Sequence, residues 1–315
     1  MRIALEEHFT LNEPAHFDRW LTLIPNVPED IVTKIKPLLR DVGEGRIELM
    51  AKAGIDFAVL SNVGSMQGML DPTPAMRLAR EANDHLAEVV QKHPDYFGGF
   101  ATVPLQDPEA GTDEFERAVG ELGMKGALII GHTNGAYLDD DRFKPFWERA
   151  EALDVPVYLH AADAAVMPAT YVGKPELIGV TWSWTAETAA HALRLIFGGV
   201  FDRYPKARLM LGHMAETLPF LLWRLDARAK AFTEGASKKP SAVIRHNFEI
   251  TTAGTFSDEP LDSALKALGE DKIMFSVDHP FESMTEASIR FFKAPISGEV
   301  QEKIESGNAK RLLRL

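Results

Sequence analysis

The sequence predicts an α/β fold, a distorted (β/α)8 barrel of the TIM type, and three observations predict it. Short apolar runs alternate with longer helical stretches eight times, and eight is the number of strand–helix units that closes such a barrel. Most of the runs are nearly continuous in apolar residues, as strands covered on both faces must be. The first run leads into Glu6-Glu7-His8-Phe9-Thr10, whereas a doubly wound nucleotide-binding sheet usually places a glycine-rich turn there.

In chain order, strands are expected at 3–5, 57–61, 97–103, 126–130, 155–159, 207–211, 247–251 and 273–276. Helices are expected at 45–53, 74–93, 108–122, 142–153, 185–201, 216–232 and 259–268, with 283–292 and 300–313 after the last strand. Glycines stand at helix ends in Lys52-Ala53-Gly54 and Glu121-Leu122-Gly123, where a left-handed residue closes a helix at least cost. Two segments break the alternation. Residues 10–39 carry Pro14, Pro25, Pro28 and Pro37 and read as a long loop with short helical pieces. Residues 161–183 carry Pro168, Gly173, Pro175 and Gly179. Both follow strands, so both are expected as lid-like loops over the catalytic face of one domain spanning 1–315.

The composition excludes several classes. A chain of 315 residues without cysteine has no disulfide framework, thiolate zinc site, iron–sulfur cluster or cysteine nucleophile. With 34 basic and 46 acidic residues the formal net charge is −12, which argues against nucleic acid or an anionic membrane as partner. Glu6 and Glu7 fall where a signal peptide would need its apolar stretch. No window approaches the roughly 18 uncharged apolar residues of a membrane span. A cytoplasmic protein is expected.

Active sites of such barrels sit at the C-terminal ends of the strands. Strand 1 ends in Glu6 and His8, two apart and therefore on one side of an extended chain. Strand 5 ends in His160. Strand 6 delivers His213, with Glu216 three residues later in the expected first turn of the next helix. Strand 8 delivers Asp278, followed by His279-Pro280-Phe281-Glu282. Glu6, His8, His160 and Asp278 offer two nitrogens and two charged oxygens, a set suited to one divalent ion, Zn²⁺ or Mn²⁺ and less well Mg²⁺. His213 and Glu216 are then supporting or catalytic groups. A lone histidine after a strand is usually structural, so the joint placement carries the argument. His16, His85, His93, His191 and His246 read as surface or helix residues, while His132, at the end of strand 4, is ambiguous between reaching the site and lying on a loop, the second reading being favoured.

These residues also carry a resemblance. Glu6-x-His8, Tyr158-Leu159-His160, Gly212-His213-Met214-Ala215-Glu216 and Ser276-Val277-Asp278-His279-Pro280-Phe281-Glu282 resemble the amidohydrolase-related, metal-dependent decarboxylases that act on γ-resorcylate, 2,3-dihydroxybenzoate and 5-carboxyvanillate. Similarity runs through nearly the whole chain, including Tyr137-Leu138-Asp139-Asp140, the stretch from Trp184 to Leu195, and Trp223-Arg224. Hydrolytic relatives more often begin His-x-His, so Glu6 tilts the expectation toward decarboxylation. The resemblance implies Glu6, His8, His160 and Asp278 as metal ligands and no organic cofactor. Asp278 would be the proton donor to the ring carbon of an ortho-hydroxybenzoate, with His213 and Glu216 as its relay. Arg224 and Phe281 are the candidate substrate contacts, and a homodimer or homotetramer is implied. Two loops depart from the family pattern. Ala161-Ala162-Asp163 stands where many relatives have Pro-Arg, and Asn62-Val63-Gly64-Ser65-Met66-Gln67 is more polar than usual. The alternatives are a metal-dependent hydrolase of a lactone or amide, with Asp278 as base, and a non-catalytic barrel.

Overall fold

The computed structural model describes residues 1–12, 28–64, 69–232 and 238–315. Strands β1 (Ile3–Phe9), β2 (Phe57–Asn62), β3 (Phe97–Gly99, resuming as Ala101–Thr102), β4 (Ala127–Ile130), β5 (Val157–His160), β6 (Leu209–Leu211), β7 (Phe248–Thr251) and β8 (Ile273–Met274) follow one another around the molecule. Each pairs in parallel with the next. The interruption at Phe100 is local, because its amide still donates to Leu60 O at 2.9 Å. The chain just beyond β8 closes the ring. The His8 amide donates to His279 O at 2.7 Å and the Asp278 amide to Glu6 O at 3.0 Å. The eight-stranded barrel expected from the alternation is therefore present.

Alternation within the strands fills its interior. Ile3, Leu5, Phe57, Val59, Phe100, Leu128, Tyr158, Met210 and Met274 form one buried cluster, and Ala309, Leu312 and Leu313 of the helix Asn308–Leu313 join it. The opposite faces, among them Ala4, Ala58 and Leu60, pack in the larger core that includes the surrounding helices. Side chains such as Leu312 contribute about 1.5–3 kcal/mol each on full burial. In β1 the register against β2 shifts between Ala4 and Glu7. This β-bulge exchanges the inward set from Ile3 and Leu5 to Glu6 and His8, re-aiming polar side chains at the barrel mouth. Ser276 pins it, its Oγ accepting from the amides of Leu5 and Glu6 at 3.2 and 2.6 Å.

The longer helices are α1 (Glu29–Arg40), α2 (Glu44–Ala53), α3 (Pro72–Lys92), α4 (Pro108–Gly120), α5 (Lys144–Leu153), α6 (Ser183–Phe197), α7 (Leu218–Phe232), α8 (Pro240–Asn247), α9 (Asp258–Leu268) and α10 (Met284–Phe292). Asp71 and Asp107 cap α3 and α4 by accepting from the amides of Thr73 and Ala110, and each is followed by proline at the first helical position, where its missing N–H costs nothing. Gly54 ends α2 at φ +70°.

Four expectations need correction. Helix α1 fills part of the expected 10–39 loop, tolerating Pro37 in its interior because it packs Ile35 and Leu39 against Val63. The 13–27 part of that loop, with His16, and residues 65–68 lie outside the described residues. The expected 185–201 helix breaks at Gly198-Gly199, where Gly199 takes φ +72°. Helix α8 has no expected counterpart. The 216–232 helix begins only at Leu218, and the turn before it is left-handed: His213, Met214, Ala215, Glu216 and Thr217 all have φ between 48° and 72°. Residues 161–183 do form a long excursion containing three single 3₁₀ turns. Among the described residues no helix is long and apolar enough to cross a membrane.

Candidate metal centre

The bulged end of β1, the end of β5 and the chain after β8 bring Glu6, His8, His160 and Asp278 together. One ligand atom from each lies within 4.8 Å of the others. His8 Nε2 and Asp278 Oδ1 stand 3.2 Å apart, and His160 Nε2 and Glu6 Oε1 3.6 Å apart. Yet Glu6 Oε1, His8 Nε2 and Asp278 Oδ1 are buried without a hydrogen-bond partner among the described residues. Buried polar atoms are seldom left so, and here three of them converge on one point.

The remaining atoms of the same side chains are held from behind. His8 Nδ1 lies 3.0 Å from Ser61 Oγ. His160 Nδ1 lies 2.8 Å from Ala161 O, a bond in which it is the donor and which leaves Nε2 with its lone pair. Burial, with His8 beside it, pushes the His160 pKa down to about 3, so its ring stays neutral, the form that ligates. Glu6 Oε2 accepts from Tyr158 Oη. Burial, aided by Asp278, raises the Glu6 pKa above the ordinary carboxylate range. Glu7, next in sequence, is likewise fully buried. A divalent cation fits this donor set and its charge.

His213 and Glu216 lie across the centre. His213 Nδ1 is 2.7 Å from Glu216 Oε1, and its Nε2 is 3.6 Å from Asp278 Oδ2. Burial disfavours the imidazolium, but Glu216 and Glu6 outweigh burial and hold the His213 pKa well above the usual value. For Asp278 burial acts upward, yet His213 and His8 hold its carboxyl well below the carboxylate range. Gly254, at φ +60°, is required here because a Cβ would stand 2.8 Å from His213 Cδ2.

A cavity of about 530 Å³ opens over these groups, floored by His160, His213 and Asp278 and walled by Ile31, Trp184 and Phe281. Its size suits a small organic ligand. Phe281 packs on His8 at 5.7 Å between ring centroids. Glu282 also lines it, its pKa raised by burial and by Asp278.

Of the expected site residues, Glu6, His8, His160, Asp278, His213, Glu216 and Phe281 meet here. Arg224 does not line this cavity. Leu218 and Leu222 take the buried positions of α7, one turn apart, so Phe220, Trp223 and Arg224 face outward. His132 lies in a loop, accepting from the Gly135 amide. His191, read as a surface or helix residue, lies in helix α6, where it is buried and accepts from the Leu138 amide at 2.9 Å. Tyr158, Thr251 and Glu282 went unanticipated. Thr251 is a polar end of β7, a legible signal, whereas Tyr158, two residues before His160 on the same strand, lies inside an apolar run.

The chain matches the family model described as amidohydrolase over residues 11–315. It is 40% identical to a γ-resorcylate decarboxylase of Polaromonas sp. (strain JS666), covering 100% of this chain and 98% of that one. Among solved structures it resembles a 2,6-dihydroxybenzoate decarboxylase complexed with 2,6-dihydroxybenzoate (TM-score 0.91, 38% identity, 100% and 99% of the two chains). It also resembles the dihydroxybenzoic acid decarboxylase of Polaromonas sp. JS666 with bound manganese and the inhibitor 2-nitroresorcinol (TM-score 0.90, 39% identity, 100% and 97%).

Proposed function

We propose, from the premise that this chain belongs to the amidohydrolase family, that it is a carboxy-lyase catalysing the non-oxidative, divalent-metal-dependent decarboxylation of an ortho-hydroxybenzoate. The convergence of Glu6, His8, His160 and Asp278 within 4.8 Å carries the metal dependence. The decarboxylase relatives at about 40% identity over the full chain carry the choice of reaction over hydrolysis. Manganese is the preferred ion, since a relative of similar sequence binds it, and no organic cofactor is invoked.

Glu6, His8, His160 and Asp278 would hold the ion, which would supply a positive anchor for the carboxylate and neighbouring hydroxyl oxygens of the substrate. Phe281 and Trp184 flank the ring and, with Ile31, exclude water from it. Asp278, as its carboxylic acid, protonates the ring carbon that bears the carboxylate. The carbon–carbon bond then breaks, its electrons restore the aromatic ring, and carbon dioxide leaves. Asp278 is left ionised and regains a proton from His213, which Glu216 keeps charged. In this reading Asp278 is both ligand and acid.

The same reading assigns the enzyme to the cytoplasm and to a homodimer or homotetramer. The oligomer is supported by Phe220 and Trp223, 83% and 77% exposed beside Arg224 on α7. Apolar side chains this exposed and adjacent mark contact surfaces. Trp223→Glu should reduce the mass measured by light scattering.

The experiment that tests the function follows a panel of hydroxybenzoates for release of carbon dioxide, before and after chelation. Decarboxylation lost with the metal and restored by one equivalent of Mn²⁺ or Zn²⁺ is expected. Turnover by hydrolysis alone, with labelled solvent oxygen entering the product, would overturn it.

A further inference from the structure

Glu6 meets two different environments with its two carboxylate oxygens. Tyr158 Oη donates to Oε2. Thr251 Oγ1 lies 3.0 Å from the same phenol oxygen and 3.5 Å from Oε2. All three side chains are fully buried. A Cβ at Gly212 would stand 2.6 Å from Oε2, so the backbone just beyond β6 walls that oxygen from behind. On the other side Oε1 has no hydrogen-bond partner among the described residues and faces His160 Nε2 at 3.6 Å. The carboxylate is thus tethered by one oxygen and presents the other.

We propose that Tyr158 and Thr251 are positioning residues that restrict Glu6 to a single ligating oxygen, keeping a coordination position free for a chelating substrate. This rests on the reading of Glu6, His8, His160 and Asp278 as metal ligands. Carboxylates bind cations through one oxygen or two. With Glu6, His8, His160 and Asp278 as four donors, a carboxylate–hydroxyl chelate would add two more, a number that Mn²⁺ accommodates with oxygen-rich ligands. A second oxygen from Glu6 would compete with the substrate for the last position. The phenol prevents this because its hydrogen bond and the wall at Gly212 hold Oε2 on the far side. The distinction matters for the expected phenotype. A merely supporting partner, when removed, costs about 10–100-fold in metal affinity. Removing a tether that limits Glu6 to one oxygen leaves the metal bound and weakens the chelating ligand instead.

The test compares wild type, Tyr158→Phe and Thr251→Val. Mn²⁺ binding is read from the free-ion signal in electron paramagnetic resonance, and binding of 2-nitroresorcinol to the Mn²⁺-loaded proteins by calorimetry. For Tyr158→Phe, Mn²⁺ affinity within about threefold of wild type and 2-nitroresorcinol affinity at least about tenfold weaker are expected. Thr251→Val should show the same split at smaller size, and it carries the test if Tyr158→Phe does not fold. Loss of Mn²⁺ affinity by about tenfold or more overturns the proposal and makes Tyr158 an ordinary support. Unchanged binding of both overturns it as well. A wild-type protein that binds no Mn²⁺, or an equally strong Mn²⁺ site after Glu6→Ala, instead overturns the metal-site reading beneath it.

Discussion

Asp278 shows how much of the chemistry a single residue concentrates. It takes a backbone φ of +81°, it faces imidazoles on two sides, and those imidazoles keep it ionised. An ionised aspartate cannot protonate a ring carbon, so the proton has to reach it from outside, and His213 at 3.6 Å is the adjacent charged donor. Asp278→Asn removes the proton carrier while keeping size and one metal-facing oxygen. Its turnover should fall by about 10³-fold or more, within the range general acids contribute, with Mn²⁺ and 2-nitroresorcinol still bound. Near-normal steady-state turnover would show that the acid is another group. At this scale the sequence was most informative where chemistry sits at a strand end. Glu6, His8, His160, His213 and Asp278 are all polar residues terminating apolar runs, and that contrast is visible without coordinates. Tyr158 was missed because it lies inside an apolar run and reads as core, which it also is. Arg224 lies away from the cavity of its own chain because a helix has several faces, and its sequence alone left open which one packs inward.

The segments that deliver these residues depend on two irregularities. One is the left-handed turn from His213 to Thr217. No glycine occurs in it, and a left-handed conformation costs roughly 1–2 kcal/mol per residue for L-amino acids. Local propensity therefore predicts a right-handed helix from Glu216, and tertiary contacts override it: Met214, Ala215 and Glu216 are buried and His213 is pinned between Glu216 and Asp278. Thr217 is the exposed member, β-branched at φ +72°, a combination with clear steric cost. Thr217→Gly should raise stability by about 1 kcal/mol in chemical denaturation, with kcat unchanged. A loss of stability would mean that the turn is not strained there. The other irregularity is the seam between β1 and the chain after β8. There Glu7 Oε1 accepts from the Val277 amide at 3.0 Å, and burial pushes the Glu7 pKa up to about 8 from 4.5. Unfolded, this carboxyl ionises near 4.5; folded, it keeps its proton to about 8. The unfolded state binds fewer protons between those values, so the contribution of Glu7 is complete below pH 4.5 and is lost as pH climbs toward 8. In metal-free protein the Tm of Glu7→Gln relative to wild type should therefore rise from about pH 5 to about pH 8 and then level off. A difference that stays constant over that interval would place the titration elsewhere. Bulge and left-handed turn alike are set by partners remote in sequence, Ser276 for one and Asp278 for the other, which is why neither could be read from its own residues.

For the whole molecule the barrel was the most legible feature, because each of eight buried strands writes a separate apolar run and errors in one do not propagate. The acidic balance was legible too, and its consequence lies in how substrate arrives. An aromatic carboxylate is an anion approaching a protein of formal net charge −12. The described lining of the cavity includes no lysine or arginine, while Glu216, Asp278 and Glu282 contribute to it. Long-range forces thus oppose the encounter, and attraction begins only where the metal centre is within reach. Salt screens the first effect and spares the second, because the Debye length falls to about 10 Å at 0.1 M while ligation acts at contact. Raising a non-coordinating salt from about 10 to about 150 mM should increase kcat/KM for the hydroxybenzoate by roughly two- to threefold and leave kcat unaltered. Encounter gains from screening; chemistry at the metal centre does not. A decrease in kcat/KM over the same range would mean that a cation near the cavity mouth outweighs the net charge. Repeating the measurement on Arg224→Gln would then decide whether that cation is Arg224 of an adjoining subunit: if it is, the decrease should vanish in the variant.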